Sequence, residues 1–267
     1  METVNRFLLI LITCLTCILE ACEEKKVALL FLTRSSLNHT ELWKEWIDTN
    51  KYTVYNHAKN VVTDPWFAQF RIRETLPTAW ETTMLAQQAL LRAALQDPRN
   101  VKFVFLSEAC LPVKSAQHVY DVLTKDDLSY IQFGNIWWKG CKWRTLSEFP
   151  EEHHRGSPQW IILNRRHAQI IADDNYWILL ANGHDIDNES YPPTFLSMMG
   201  VLNEVRRECK TYTDWRTERE HYASPYLFKA SDVDDVKELS QHWHHVLFAR
   251  KFDPEFPDDV IRALWTE

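Results

Sequence analysis

Three charged positions in this chain have the setting that chemistry needs. Glu189 closes the polar run His184-Asp185-Ile186-Asp187-Asn188-Glu189 and precedes Ser190-Tyr191-Pro192-Pro193. The proline pair predicts a helix opening at Pro193 and running to Val205, because proline suits the first helical turn. A carboxylate just before such a helix has its charge stabilised by the helix N-terminus. It could act as a general base toward an attacking hydroxyl, or only as a capping acid. Arg250 and Lys251 follow the apolar Leu247-Phe248-Ala249. Two cations at the end of a short buried strand could clamp a diphosphate, or form an ordinary surface pair.

Glycine makes that clamp more pertinent. The chain has five glycines in 267 residues, at 134, 140, 156, 183 and 200. None is spaced as GxGxxG or GxxxxGK, the loops whose backbone N–H groups enclose phosphate. A nucleotide here must be held by side chains. Metal ligation has little support. His153-His154 and His242, His244 and His245 lack helical zinc spacing and a cysteine partner set. Asp185-Ile186-Asp187 and Asp232-Val233-Asp234 are DxD strings, but Ser107-Glu108-Ala109 stands at the mid-sheet strand end.

The elements that position these residues alternate. Apolar runs predict buried strands at Val27–Thr33, Val101–Ser107 and Leu128–Phe133, with a half-buried strand at Tyr52–His57. Helical spacing appears over 38–48, 82–96 and 115–123. The β-α-β-α-β-α-β order implies an α/β layered domain with mostly parallel strands. Later come a strand at Gln159–Leu163, a helix at Arg165–Ala172, a helix at Val233–Leu239, a short strand at Val246–Ala249 and a helix at Asp258–Leu264. No repeat or long linker divides the body. Ligands in open α/β sheets sit at the carboxyl ends of strands, which marks Thr33-Arg34, Asn56-His57 and Ser107-Glu108-Ala109.

Composition sets the limits. Charged residues at 25% and hydrophobic residues at 45% describe a globular chain. A net charge of −7 argues against a nucleic-acid partner. Residues 7–19, FLLILITCLTCIL, are too short for a comfortable span and suit a signal peptide or short signal anchor over residues 1–22. Cys110, Cys141 and Cys209 remain in the body, enough for one disulfide and one free thiol. Asn188-Glu189-Ser190 is a glycosylation sequon expected to stay unused, and Asn38-His39-Thr40 is the better acceptor. Twelve tryptophans supply core, and some could stack on sugars.

Taken in order, several segments resemble the core-2/I-branching β-1,6-N-acetylglucosaminyltransferase family, plant-type relatives included. They are VALLFLTRSSL, YTVYNHAK, LLRAALQDPRNVKFVFLSEACLPV, RGSPQWIILNRRHAQII, DIDNESYPPTFL, TYTDWR and LFARKF. The resemblance implies a single glycosyltransferase domain over residues 23–267. It implies a GT-A type fold, a Rossmann-like mixed sheet flanked by helices. It implies inverting transfer of a sugar, GlcNAc foremost, from a UDP-sugar to a glycan or glycoprotein hydroxyl, with no metal cofactor. Glu189 maps to the catalytic base and Lys251 to a donor-phosphate cation. Arg250 or Lys229 stands in for a second cation. His57 and Arg34 fall on the donor side. Trp215, Trp160 and Glu108 fall on the acceptor side. A lumenal or exported domain of the secretory pathway would follow, in the Golgi or endoplasmic reticulum. The competing readings are a catalytically inactive glycan-binding module, a metal-dependent transferase using Asp185 and Asp187, and a hydrolase pairing Glu189 with Glu108 or Asp187.

Overall fold

A computed structural model describes residues 24–80, 82–134, 148–182, 187–216 and 224–266. In chain order the elements begin with β1 (Lys26–Thr33), α1 (Thr40–Trp46), β2 (Tyr52–Ala58), α2 (Pro65–Ala68), α3 (Met84–Ala94) and β3 (Asn100–Leu106). Then come β4 (Leu111–Pro112), α4 (Ala116–Thr124), β5 (Ser129–Tyr130), β6 (Ile162–Asn164), α5 (Arg165–Asp173) and α6 (Trp177–Ala181). The last are α7 (Asp187–Met198), β7 (Val205–Arg206), β8 (Thr211–Thr213), α8 (Val233–Ser240), β9 (Phe248–Arg250) and α9 (Asp258–Leu264).

The main sheet has the order β2-β1-β3-β6-β5-β7. Strands β2, β1 and β3 run parallel. Strand β6 is antiparallel to both β3 and β5. The sheet is therefore mixed, but β5 and β7 pair parallel and run in the same sense as β1–β3, so the mostly parallel order expected from the sequence holds for every strand but β6. The strand expected over Leu128–Phe133 pairs only at Ser129 and Tyr130.

Why β1 and β3 are apolar throughout follows from the layers. Val27, Leu29 and Phe31 point to one core with Val104 and Leu106. Ala28 and Leu30 point to the other with Phe103 and Phe105. Successive strand residues face opposite sides, so a sheet covered twice needs no polar face. Helices α1, α4 and α9 cover the first face, with Leu42, Trp43, Val119, Leu123 and Ile261 among the buried residues. Helices α3, α5 and α7 cover the second, through Leu90, Leu91, Ile171 and Leu196 among others.

A small second sheet, β4-β9-β8, brings distant segments to the first core. Trp43 fixes it there. Its ring meets Phe31 of β1 edge-on at 5.0 Å and stacks near Phe248 of β9 at 6.4 Å. Its indole N–H donates to the Cys110 carbonyl at 3.3 Å. Cys110 and Cys209 are free thiols, so neither forms the disulfide that the cysteine count allows, and Cys141 lies outside the described residues. The leader over residues 1–22 is also outside them. Among the described residues no helix is long and apolar enough to cross a membrane.

The Asn38 sequon is a correction. Its amide Nδ2 donates to the Phe252 carbonyl at 2.9 Å, which ties β1's exit loop to the segment after β9. A glycan on that nitrogen would break the tie. Asn188 is 4% exposed and its Nδ2 donates to Thr83 Oγ1, so the second sequon is engaged as well.

Two outcomes are expected. Protein made in a glycosylating host carries no glycan on Asn38 by peptide mass. Trp43→Ala loses about 3–5 kcal/mol in denaturant unfolding, because it opens the joint between both sheets.

Candidate active site

Helix α7 does not start where its prolines suggest. It opens at Asp187, and Pro192 and Pro193 sit inside it. A proline within a helix cannot donate to the carbonyl four residues back. For Pro193 that carbonyl belongs to Glu189. The freed oxygen accepts instead from the Ser157 N–H at 2.8 Å. The proline pair thus anchors Glu189's backbone to the segment entering β6. It leaves Glu189 in the first turn of α7, where the helix dipole favours a negative charge.

The Glu189 side chain is half-buried. Loss of hydration drives its carboxyl up to about 7, and the nearby Arg250 charge opposes the rise. Desolvation therefore dominates, and the group exchanges its proton near neutrality. A carboxyl so placed can accept a proton from a hydroxyl.

The cations come from β9. Its partner β4 follows the turn Ser107-Glu108-Ala109-Cys110, with Leu111 opposite Ala249. That register sets Arg250 beside the carboxyl end of β3. The Ala109 carbonyl accepts from Phe252 N–H at 3.0 Å, and the Glu108 carbonyl accepts from Asn38 N–H at 3.1 Å. The Arg250 guanidinium lies over the Trp160 ring at 4.1 Å. Trp160 precedes β6, whose antiparallel register with β3 brings that end of the segment to the same sheet edge. Burial pulls Arg250 below the usual guanidinium range, while the charges of Glu108 and Glu189 oppose this. Its Nε is buried and has no hydrogen-bond partner among the described residues.

Lys251 is drawn down to about 8 by burial first, then by the Arg250 charge, with Arg34 adding and Glu108 opposing. Its ammonium donates to Ser224 Oγ and lies 5.5 Å from the centre of the Trp80 ring. The site therefore gathers Glu189, Arg250, Lys251, Glu108 and Arg34 at the carboxyl ends of β1 and β3, with Trp160 beneath Arg250. Three cations facing two carboxylates can receive an anion and leave a base beside it.

Other sequence-predicted residues sit differently. Trp160 is 7% exposed and supports Arg250, so its ring is a buried platform where an open acceptor surface was expected. His57 is buried. Its Nε2 accepts from the Leu76 N–H at 2.8 Å, which puts the proton on Nδ1, and Nδ1 has no partner among the described residues. Lys229 is exposed, and its backbone N–H donates to Asp232 at 2.7 Å. Its side chain makes no contact with Lys251 among the described residues. Trp215, two residues beyond β8, is 45% exposed. Trp80 and Ser224 escaped the sequence reading. Trp80 had one signal, an aromatic in a threonine- and proline-containing loop, and Ser224 had none.

Two acids of the DxD strings, Asp187 and Asp232, are engaged within the fold. Asp187 accepts from the Thr83 and Met84 N–H groups at 3.0 and 3.3 Å. Asp185 lies outside the described residues. Asp232 accepts from Lys229 and Tyr226, and Asp234 is exposed on the surface.

With this geometry in place, the class of the chain can be stated. The sequence pattern of the Core-2/I-Branching enzyme family matches residues 27–240, and the chain belongs to that family. It is similar to Glycosyltransferase BC10 of Oryza sativa subsp. japonica, at 24% identity over 295 residues, covering 85% of this chain and 73% of that protein.

The raised Glu189 carboxyl has a consequence for stability. Its folded value lies above the ordinary 4.5, so the native state binds more protons between about 4.5 and 7. Stability falls as pH rises through that window. Glu189→Gln should therefore melt a few degrees above the wild type at about pH 8, with the gap closing by about pH 4.5. Equal melting temperatures across the range, by scanning calorimetry, would count against a desolvated Glu189.

Proposed function

We propose that this protein is an inverting, metal-independent glycosyltransferase that moves a sugar from a UDP-sugar to a glycan hydroxyl, with GlcNAc the first donor to test. Family membership and the similarity to a plant glycosyltransferase support the reaction class. The observation that carries the mechanism is a desolvated Glu189 beside the Arg250 charge, with Lys251 next to Arg250.

In this reading Glu189 takes the proton from the acceptor hydroxyl. The oxygen attacks C1 of the donor sugar as the C1–O bond to the diphosphate breaks on the opposite face. The electron pair of that bond leaves on UDP. Lys251 and Arg250 meet the charge growing there, with Arg34 at the rim. Preorganised donors of this kind contribute about 3–4 kcal/mol each in other enzymes. Trp160 holds the guanidinium plane, and Trp80 and Ser224 hold the ammonium. A lumenal or exported location fits a chain led by the apolar run 7–19.

The pH profile tests both charges. Glu189 must be ionised and Lys251 protonated, so kcat/KM rises as pH passes about 7 and falls as it passes about 8. In kcat the alkaline limb moves upward, because bound diphosphate favours the charged lysine. Glu189→Gln lowers kcat by about 10²–10⁴-fold and keeps UDP affinity by calorimetry. Consumption of a panel of UDP-sugars, with and without chelator, identifies the donor. Turnover by the glutamine variant at the wild-type rate refutes the base, and no consumption of any donor favours a glycan-binding module.

A further inference from the structure

The start of α7 is fixed by an arrangement that none of the proposed chemistry uses. Thr83 occupies the N-cap position of α3, yet its hydroxyl does not cap that helix. The carboxylate of Asp187 does so from another helix, accepting from the Thr83 and Met84 N–H groups at 3.0 and 3.3 Å. Asp187 is fully buried, in the first turn of α7. One carboxylate thereby serves two helix N-termini, both of which favour negative charge.

Released from capping, Thr83 Oγ1 lies within hydrogen-bonding distance of three side-chain amides, and its two lone pairs accept from two of them at a time. Asn188 Nδ2 lies at 2.8 Å, Gln87 Nε2 at 3.3 Å and Gln159 Nε2 at 3.4 Å. Asn188 is the residue before Glu189. Gln159 is the residue before Trp160, which carries Arg250. Ser157, two residues earlier, holds the Glu189 carbonyl. A single hydroxyl therefore joins the α3 terminus, the turn bearing Glu189 and the segment bearing the guanidinium platform.

We infer that Thr83 and Asp187 are positioning residues that lock Glu189 against the donor cations. The inference rests on Glu189 being the base. Neither residue touches the reacting atoms. Thr83 keeps the amides of Asn188 and Gln159 on one acceptor, and Asp187 keeps the α7 terminus against α3. A misplacement of about 1 Å at a reacting group can cost about 10²-fold in rate. A loosened lock should therefore lower turnover while leaving the cation cluster able to hold UDP.

The test uses the full chain. Thr83→Val keeps the shape and removes the acceptor. The expected result is a fall of about 10–100-fold in kcat. Donor KM and UDP affinity stay within about twofold. The acid limb of the kcat profile moves to lower pH, because water reaching a loosened Glu189 lowers its carboxyl toward the ordinary range. Thr83→Ser restores both rate and limb. If the valine variant does not fold, Asn188→Ala removes one arm of the lock and should give the same split. Glu189→Gln runs in parallel. If it is inactive while Thr83→Val and Asn188→Ala keep the wild-type kcat and acid limb, the lock is refuted and the base survives. If it turns over normally, the base assignment fails first.

Discussion

Charge kept partly out of water is the constraint on which the site depends. A solvated glutamate is too weak a base to be useful at neutral pH, and a solvated arginine–lysine pair holds a diphosphate only loosely. Here one carboxyl rises and one ammonium falls until both exchange protons near neutrality. Burial opposes the charged form of each, while the Arg250 charge favours the ionised Glu189 and the Glu108 charge favours the protonated Lys251. Such a balance is unfavourable for the empty fold. It persists because the surroundings are rigid: a two-sided sheet, a helix anchored at its first turn, and strand register that leaves Arg250 little freedom.

The pieces of that rigidity have local causes. Pro193 withdraws a donor, the Glu189 carbonyl is freed, and Ser157 takes it. The antiparallel entry of β6 carries Trp160 to the strand ends, and the guanidinium lies flat upon it. A planar cation suits an indole face in a way that a lysine ammonium does not. This gives the two adjacent cations different tasks of fit. Arg250 is held flat on a buried ring, whereas Lys251 is held by a hydroxyl and lies farther from the ring beneath it, that of Trp80.

Much of the framework was legible in the sequence. Strands β1, β2 and β3 are continuous enough for period and β-branching to mark them, and α9 matches Asp258–Leu264. Strands β4, β7 and β8 span two or three residues and carry no periodic signal. Their pairing is decided by tertiary contacts. The direction of β6 was also hidden, because a three-residue apolar run reads the same in either sense. The start of α7 was misread for a physical reason: proline normally opens helices, and only an external donor makes a mid-helix pair tolerable. The mapped pair Glu189 and Lys251 does fall in one cluster with Arg250. The support beneath it was not legible. No spacing rule predicts that Gln159, Asn188 and Gln87 would share Thr83, or that Trp160 would bear an arginine.

Strand β9 has a further implication for how the molecule is made. Its register partner Leu111 lies far earlier in the chain than Ala249. Both cations of the cluster's centre arrive with that late strand, whereas Glu189 and the main sheet are complete before it. A growing chain therefore possesses its proton acceptor well before it possesses the central cation pair Arg250 and Lys251. Contacts so distant in sequence form slowly, since a long loop must close first. Competence is thus a late event in folding, and a polypeptide interrupted before residue 248 would lack both Arg250 and Lys251 together with the β9 and α9 share of the first core.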